Sequence, residues 1–352
     1  MSRADFRLSL VVPVYNEEES IDAFISAIDT ELAPLKDQLE IVFVNDGSRD
    51  RTREVVEQAI ARDPRVTLVN LARNFGKEAA MTAGLHQAKG DAIVPMDVDL
   101  QDPPSLILEF VKLWQTGDYD TVYGIRVDRS ADTPMKRLTA GGFYRFFNAL
   151  STSTKLPENA GDFRLIDRKV VEAIKQLPER NRFMKGLFAW AGFRAVGVPY
   201  ERPARHAGET KFNYWKLWNF ALDGLMSFSS WPLRVWSYIG VGVSFIAFLY
   251  ILKIITQVLF FGIDVPGYAS LMSVMLFLGG IQLLSLGIIG EYIGRMFVEV
   301  KQRPVYLIEG VYGQYAKQDE EQKQEVPTAS KKSAGNKAAA KAADDLQEQA
   351  SQ

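Results

Sequence analysis

Two aspartates separated by one residue follow a short apolar segment, in the stretch MDVDLQDPP of residues 96–104. Side chains alternate along an extended strand, so Asp97 and Asp99 are expected to project to one side, within reach of one ion. Their hard oxygens suit Mg²⁺ or Mn²⁺, which keep further coordination sites open for diphosphate oxygens. The alternative is a capping turn before a helix that begins at Pro104. The end of a buried strand, followed by Gln101, favours the metal site.

Polar residues also follow the first two predicted strands. The first strand leads through Pro13 to Tyr15, which offers a ring to a base, and Glu17, which can accept from ring or ribose donors. At a helix N-terminus the same acid would only favour the helix dipole. Asp46, after the second strand, is placed to hold a donor on a nucleobase or ribose, or equally to cap the following helix.

Basic residues cluster farther along the chain. Arg126 follows a predicted strand, Arg137 follows a proline segment, and Arg205 and Lys211 flank the GET sequence of residues 208–210. Scattered basic residues can simply form a solvated surface. A site that takes phosphate needs several cations, and arginine suits bidentate phosphate contacts.

The elements that must position these residues alternate between strand and helix. Apolar strands are predicted over residues 8–14, 40–44, 66–71, 92–96 and 121–124, and helices over residues 17–32, 52–61, 77–88 and 104–115. This alternation predicts an α/β fold with a doubly wound, mostly parallel sheet. In such sheets ligands bind outside the carboxyl ends of the strands, where the polar residues above are found.

The composition excludes several classes of protein. The 352 residues include no cysteine, which excludes a disulfide scaffold, a thiolate metal site and a cysteine nucleophile. The 41 basic and 43 acidic residues give a formal net charge of −2, so no global field for nucleic acid exists. No G-x-S-x-G or Walker loop is present, which leaves serine hydrolases and P-loop NTPases unsupported.

A nearly uncharged region lies in the second half of the chain. Its residues 228–290 contain only Arg234, Lys253 and Asp264 as charged groups. About 20 helical residues span a bilayer core, so residues 233–297 are predicted to form two transmembrane helices rather than two buried core helices. Basic residues flank the outer ends of the pair, which predicts a multi-pass protein of the cell (inner) membrane with both termini cytoplasmic.

The flanking segments complete the domain organisation. Residues 1–210 form the predicted α/β domain and residues 211–232 aromatic-rich interfacial helices, which could instead pack on that domain. Residues 298–315 are predicted as a juxtamembrane segment and residues 316–352 as a disordered polar tail. The G-x-x-x-G pattern at residues 290–294 fits either a homo-oligomer or packing between the two spans.

The order of these motifs resembles that of a known enzyme family. VVPVYNEEE, VNDGS, DVDLQDP and RHAGETKF together resemble the family 2 glycosyltransferases of GT-A fold. The membrane hairpin, with AGDFRLIDR, WPLR and GEYIGR, resembles the polyprenyl-phosphate glycosyltransferases, relatives of dolichyl-phosphate mannose synthase, and the bactoprenol glucosyltransferase branch most closely. The resemblance covers about residues 5–310.

The resemblance implies roles for the residues singled out above. It puts residues of the first two strand ends around the nucleotide, the DxD residues and Gln101 at the metal, sugar and phosphates, and the basic residues at the phosphates of acceptor or donor. Asp162 matches a position beside the acceptor, where it acts as a base or orients Arg164. The nucleotide set is Pro13, Tyr15, Glu17, Asp46 and Asp97; the metal set is Asp99 and Asp97; the phosphate set is Arg126, Arg137, Arg205 and Lys211; and the catalytic set is Asp99, Asp162 and Gln101.

The implied reaction joins a nucleotide-sugar donor to a lipid phosphate. By the resemblance, a metal-dependent enzyme moves a hexose, glucose from UDP-glucose, onto polyprenyl (undecaprenyl) phosphate with inversion, giving a β-linked sugar. A transferase for mannose from GDP-mannose or for amino-arabinose, on the same lipid, remains an alternative. A membrane scaffold with an inactive transferase domain is the alternative from another class.

Overall fold

The fold is built on a single mixed sheet. The computed structural model describes residue 3 and residues 5–126, 160–180, 182–201, 231–261 and 267–313. In this part of the chain eight strands are present: β1 (Leu8–Val14), β2 (Leu39–Asn45), β3 (Val66–Leu71), β4 (Ala92–Pro95), β5 (Thr121–Arg126), β6 (Ala160–Asp167), β7 (Ala195–Tyr200) and β8 (Ile308–Tyr312). They form one sheet in the order β7-β5-β6-β4-β1-β2-β3-β8.

The helices connect and cover these strands. The described α-helices are α1 (Ile21–Glu31), α2 (Thr52–Arg62), α3 (Lys77–Gln87), α4 (Leu106–Gln115), α5 (Arg168–Lys175), α6 (Met184–Trp190), α7 (Trp231–Phe261) and α8 (Tyr268–Val300), with a 3-10 helix at Ala33–Gln38. The first four follow β1 to β4 in turn, as the alternating apolar pattern predicts. The predicted α/β class and its mostly parallel central sheet are confirmed.

The four central strands are parallel and buried on both faces. β1 pairs in parallel with β2 and β4, and β2 pairs in parallel with β3. Leu10 and Val12 belong to the apolar core on one face, and Val11 to the core on the other. Because both faces are covered, these strands are continuous apolar runs in the sequence.

Helix α3 lies unusually close to the sheet. A Cβ built on Gly84 would overlap Val11 Cγ1 and would lie 2.9 Å from Val44 Cγ2. Only glycine leaves room for this approach, which brings the first turn of α3 to the carboxyl ends of the parallel strands.

β6 is a strand that the periodicity argument missed. It lies between β4 and β5 and is antiparallel to both. Phe163 and Leu165 contribute to one core and Ile166 to the other, so the segment alternates between the two faces of the sheet. Because β6 runs in the opposite direction, its first residues lie where the parallel strands end. Asp162 is thereby placed at the ligand-binding edge.

The chain after the second long helix returns to the sheet. β8 pairs antiparallel with β3, although the sequence put residues 298–315 in a separate juxtamembrane segment. Arg53 and Asn70 bind Glu309, at 3.3 and 2.6 Å. The backbone N–H of Arg180 donates to Glu299 near the end of α8, at 2.9 Å. These contacts fasten the end of α8 to the α/β domain.

The two long helices have the dimensions of membrane spans. α7 has 31 residues and α8 has 33, or about 46 and 50 Å at 1.5 Å per residue. Their apolar windows, Tyr238–Gln257 and Ser270–Val300, have a mean hydropathy of 2.1 and are not buried against protein. Buried core helices would not expose these side chains to water, so the pair indicates association with a membrane. The predicted interfacial segment up to residue 230 and the tail from residue 316 lie outside the described residues.

Candidate active site

A lysine links two of the predicted site aspartates. Asp97 follows β4, and its two carboxylate oxygens lie 2.6 and 2.8 Å from the Nζ of Lys77, the first residue of α3. The same ammonium lies 3.8 Å from Asp162 Oδ2 on β6. Burial disfavours the charged amine, but Asp97 and Asp162 outweigh it and hold the pKa of Lys77 above 10.5. Lys77 is therefore a fixed positive charge between these carboxylates.

A second lysine neutralises the other side of Asp162. Lys185, in the first turn of α6, lies 3.7 Å from Asp162 Oδ1, a buried atom without a hydrogen-bond partner among the described residues. Burial opposes ionisation of this carboxyl group, yet Lys185 and Lys77 more than offset it and lower its pKa below 3.8. Asp162 is consequently ionised at neutral pH.

Glu78 adds a titratable group behind this cluster. Its Oε2 accepts a hydrogen bond of 3.1 Å from the backbone N–H of Met184. Burial and the negative charge of Asp162 raise the pKa of Glu78 from 4.5 to about 7. The carboxyl group is therefore half protonated near neutral pH.

Asp99 and Gln101 lie in a turn beyond the end of β4. Met96 and Val98 are buried, whereas Asp97 and Asp99 are partly exposed, so alternation continues past the strand. Asp99 Oδ1 accepts from the backbone N–H of Gln101 at 3.2 Å. The intervening Leu100 has a φ of 54°, a left-handed conformation that turns the chain here.

The carboxylates of Asp97 and Asp99 have the right chemistry to bind a hard divalent cation. No cluster of three or more His, Cys, Asp or Glu side chains with ligand spacing occurs in the described part of the chain. Mg²⁺ commonly takes only one or two carboxylates and completes its shell with substrate phosphates and water. Asp97 and Asp99, both partly exposed, fit such a site, with Lys77 competing for Asp97.

The carboxylate of Asp46 binds the backbone of the loop that leads into α3. Its Oδ1 accepts from the N–H of Phe75 at 2.7 Å and its Oδ2 from the N–H of Gly76 at 2.9 Å. The capping alternative named the following helix, α2, but the carboxylate instead binds the loop that enters α3. Burial raises the pKa of Asp46 above 3.8, against the effect of these two N–H groups.

Gly47 makes this arrangement possible. It has a φ of 66°, and a Cβ built on it would lie 2.5 Å from the carbonyl carbon of Arg73. A side chain would therefore push away the loop whose next residues bind Asp46.

Hydrogen bonds connect the loops that follow β1 and β2. The N–H of Asn16, which has a φ of 54°, donates to Ser48 Oγ at 3.0 Å. The N–H of Glu17 donates to Thr52 Oγ1 at 2.9 Å, and its carboxylate accepts from Ser20. Pro13, Tyr15 and Glu17 are all partly exposed at the carboxyl edge of the sheet.

Asn45 has a structural partner. Its side chain is buried and donates to Asn70 Oδ1 at 2.6 Å, and Asn70 in turn donates to Glu309. The amide side chains thus connect the ends of β2, β3 and β8.

Arg126 is the one predicted phosphate ligand within the described residues. Its Nε donates to the hydroxyl of Tyr200 at 3.3 Å, and its Nη2 lies 3.9 Å from Asp102 Oδ1. The other members of the predicted phosphate set lie outside the described residues; they are Arg137, Arg205 and Lys211.

Arg164 is buried beneath the edge. Its Nη2 donates to the carbonyl of Gly161 at 2.7 Å, and its guanidinium lies 4.5 Å from the centre of the Phe188 ring. Asp162 forms ion pairs with Lys77 and Lys185, and these two lysines help to orient its carboxylate.

Sequence reasoning missed Lys77, Glu78, Lys185 and Tyr200. Lys77 and Glu78 carried a usable signal, because the first turn of a helix that follows a parallel strand lies at the carboxyl edge. Lys185 lies on α6 and Tyr200 on β7, and no local sequence pattern predicted either element.

Models of known protein families match both the α/β domain and the pair of long helices. The family model described as Glycosyl transferase family 2 matches residues 9–175, and the model described as GtrB C-terminal hairpin matches residues 231–296. A mannosyltransferase structure from Pyrobaculum calidifontis, in complex with GDP-Man and Mn²⁺, aligns with a TM-score of 0.40 at 21% identity over 56% of each chain.

Two relatives are similar over nearly their whole length. The SfII prophage-derived bactoprenol glucosyl transferase of Shigella flexneri is 52% identical over 86% of this chain and 97% of its own. An uncharacterized glycosyltransferase of Synechocystis sp. is 52% identical over 87% of this chain and 96% of its own. The chain belongs to glycosyl transferase family 2.

Proposed function

We propose that this protein transfers glucose from UDP-glucose to a polyprenyl phosphate, with inversion, to give a β-linked lipid-phosphate sugar. The observation that carries the proposal is the 52% identity to a bactoprenol glucosyl transferase over 97% of that protein, membrane hairpin included. The site adds chemical support, because carboxylates and cations converge beside partly exposed loops at the carboxyl edge of the sheet.

The donor nucleotide would lie across the ends of β1 and β2. Tyr15 offers its ring to the base and Glu17 its carboxylate to the ribose or base, with Pro13 shaping the floor. The carboxylate of Asp46 holds the loop at Phe75 and Gly76 through two backbone N–H groups, and this loop would form one wall of the donor site. Asp97 would complete the contacts on the sugar side.

Asp99 and Asp97 would hold Mg²⁺ or Mn²⁺. When bound, the cation would neutralise the charge that develops on the leaving diphosphate. Gln101, whose N–H donates to Asp99 in the same turn, would contact a donor or acceptor phosphate. Lys77 contributes a permanent positive charge at the same edge, which favours the approach of two anionic substrates.

The acceptor phosphate needs positioning more than deprotonation. The second pKa of a phosphate monoester is about 6, so the nucleophile is already largely ionised at neutral pH. Asp162, whose pKa is lowered, is a poor proton acceptor, and we assign it an orienting role towards the cations around the acceptor. Arg126, Arg137, Arg205 and Lys211 are the proposed phosphate ligands.

The lipid acceptor explains the hairpin. We place α7 and α8 across the cell membrane, with residues 1–210 and both termini on the cytoplasmic side, where nucleotide sugars are available. The interfacial segment of residues 211–232 would bring the polyprenyl phosphate to the site. A homo-oligomer through the G-x-x-x-G face stays a prediction from sequence alone.

A donor panel tests this function directly. Purified protein in detergent, with undecaprenyl phosphate and Mg²⁺, should form a lipid-linked sugar from UDP-glucose and not from GDP-mannose or an amino-arabinose donor. Asp99→Asn should reduce transfer more than about a hundredfold with an unchanged Tm, whereas Asp118→Asn, at an exposed carboxylate in the same domain, should not. Transfer from a different donor would redefine the substrate, and transfer from none would support the inactive scaffold.

A further inference from the structure

Three side chains from separate segments form a chain of hydrogen bonds at the end of the sheet. The Nε–H of Arg126, the last residue of β5, donates to the Tyr200 hydroxyl at 3.3 Å. That hydroxyl, on the last residue of β7, donates to Asp102 Oδ1 at 2.6 Å. The Nη2 of Arg126 lies 3.9 Å from the same oxygen, so the guanidinium also feels the negative charge directly.

Tyr200, which lies in the middle of these hydrogen bonds, is held rigidly. Tyr200 is 6% exposed and Asp102 is 5% exposed. β5 and β7 are paired with Arg126 opposite Tyr200, and a Cβ built on Gly124 would lie 2.6 Å from the Tyr200 ring. The missing side chain at Gly124 thus makes room for the ring. Phe163 supports the ring from another side, with the ring centres 6.1 Å apart.

The proton of the Tyr200 hydroxyl stays in place over the working pH range. Burial and the charge of Asp102 raise the pKa of Tyr200 from 10.0 to about 12. The hydroxyl therefore donates to the carboxylate and presents a lone pair to Arg126 at any pH near neutrality.

The Arg126 guanidinium lies beside the segment that carries Asp162. Its Nε donates to the Tyr200 hydroxyl and its Nη2 lies 3.9 Å from Asp102 Oδ1, so these two residues orient the Nε–Nη2 edge. A Cβ built on Gly161 would lie 3.5 Å from Nη2 and 3.8 Å from Nε, which puts the guanidinium beside the backbone that carries Asp162. The positive charge of Arg126 also favours ionisation of Asp162.

We propose that Asp102 and Tyr200 are positioning residues, which hold the Arg126 guanidinium beside the start of β6 so that it can bind the phosphate of the acceptor. The inference rests on the proposed function, in which Arg126 is a phosphate ligand. A free arginine side chain loses much rotamer freedom when it binds a phosphate, and a guanidinium already fixed through Nε loses less. The last acid of the DxDxQD sequence would then serve the acceptor rather than the donor.

A double-mutant cycle tests this role. Tyr200→Phe removes only the hydroxyl, Arg126→Gln removes the phosphate ligand, and the double variant combines the two changes. We expect Tyr200→Phe to raise the KM for undecaprenyl phosphate roughly fivefold to tenfold, the worth of about one hydrogen bond, with the KM for the donor unchanged. In the Arg126→Gln background, Tyr200→Phe should have no further effect on the acceptor KM.

Two further variants serve as controls for this double-mutant cycle. Tyr119→Phe deletes a hydroxyl from a partly buried tyrosine on a loop outside the site and should leave both KM values unchanged. Asp102→Asn keeps an oxygen that can accept from Tyr200 but removes the charge, so its effect on the acceptor KM should be smaller than that of Tyr200→Phe. If Tyr200→Phe fails to fold, the same cycle is run with Asp102→Asn.

The outcomes separate the two proposals. If Arg126→Gln raises the acceptor KM but Tyr200→Phe does not, or if their effects multiply in the double variant, the positioning role is wrong and the proposed function stands. If Arg126→Gln leaves the acceptor KM unchanged, or if the wild-type protein transfers no sugar, the phosphate role of Arg126 fails and the inference fails with it.

Discussion

The ammonium of Lys77 lies 2.6 and 2.8 Å from the two carboxylate oxygens of Asp97. Lys77 begins α3 and Asp97 follows β4, so this contact joins the helix entered from the loop that Asp46 binds to the turn that carries the DxD sequence. The same ammonium also lies 3.8 Å from Asp162 on β6. Asp97, assigned by resemblance to the donor, and Asp162, assigned to the acceptor, thus have Lys77 as a common counter-ion.

Replacement of this ammonium should impair the reaction. Lys77→Met removes one positive charge from an edge that must receive two anions and leaves Asp97 without its ion-pair partner. We expect kcat/KM to fall by about tenfold to a hundredfold, or ~1.4 to ~2.7 kcal/mol of transition-state stabilisation. Lys112→Met, on the exposed side of α4, is the matched control. Wild-type kcat/KM in Lys77→Met would show that the ion pair has no part in transfer.

The sequence revealed the central strands because of how they are buried. Covered on both faces, β1 to β4 are short apolar runs that can be recognised without any partner. β6 and β8 depend on partners far away in the chain, β6 on β4 and β5 and β8 on β3, so no local pattern identified them. AGDFRLIDR is recognisable as a motif in the sequence, but its role as an intervening antiparallel strand is visible only in the tertiary structure.

The same distinction explains what was predictable at the site. Asp97 and Asp46 could be selected because each follows an apolar strand. The pairing of each with its partner could not be predicted, because Lys77 and the N–H groups of Phe75 and Gly76 come from the loop and helix after β3, whose contacts across the sheet edge depend on the tertiary structure. Lys185 and Tyr200 are also brought in by pairing and packing across the sheet. The family resemblance assigns substrate contacts to Asp97 and Asp46.

Gly47 should be far less tolerant of a side chain than another glycine of similar backbone. Gly47→Ala combines an unfavourable φ of 66° with a clash against Arg73, whereas Gly117 has a φ of 84° and no atom within 4 Å of a built Cβ. We expect Gly117→Ala to cost about 1 kcal/mol of stability and Gly47→Ala about 2 to 4 kcal/mol.

Thermal unfolding in detergent measures both variants, and a donor-binding assay measures the consequence for the site. Gly47→Ala should also weaken UDP-glucose binding, because it displaces the loop that Asp46 holds. Equal losses of Tm in the two variants would mean that the loop moves aside without cost.

Glu78 should make the stability depend on pH near neutrality. Its pKa is about 7 in the folded protein, above its ordinary value of 4.5. Between these values the folded state keeps a proton that the unfolded chain loses, so the stabilising contribution falls as the pH rises and is lost above about 7. Glu78→Gln cannot ionise, and its stability relative to the wild type should therefore increase between pH 5 and pH 8.

Between pH 5 and pH 8, the stability of Glu78→Gln relative to the wild type should increase by roughly 1 to 2 kcal/mol. One pKa unit corresponds to ~1.4 kcal/mol, and partial exposure of the side chain screens the effect. Tm values of both proteins across this pH range provide the measurement. Glu54→Gln, at an exposed carboxylate of α2, controls for the general effect of removing a negative charge. A difference between Glu78→Gln and wild type that is constant with pH would contradict the raised pKa.

The topology can be tested with single-cysteine variants of the protein, purified after labelling, because the chain itself contains no cysteine. Val265→Cys lies in the connector between the two long helices, and Asp118→Cys lies on the exposed surface of the α/β domain. With the connector outside and the catalytic domain inside, a membrane-impermeant maleimide should label Val265→Cys in intact spheroplasts and Asp118→Cys only after lysis. The physical basis is the excess of Lys and Arg beyond the outer ends of the helix pair, which retains those ends in the cytoplasm. Labelling of Asp118→Cys before lysis would invert the topology and remove the domain from the compartment of its proposed donor.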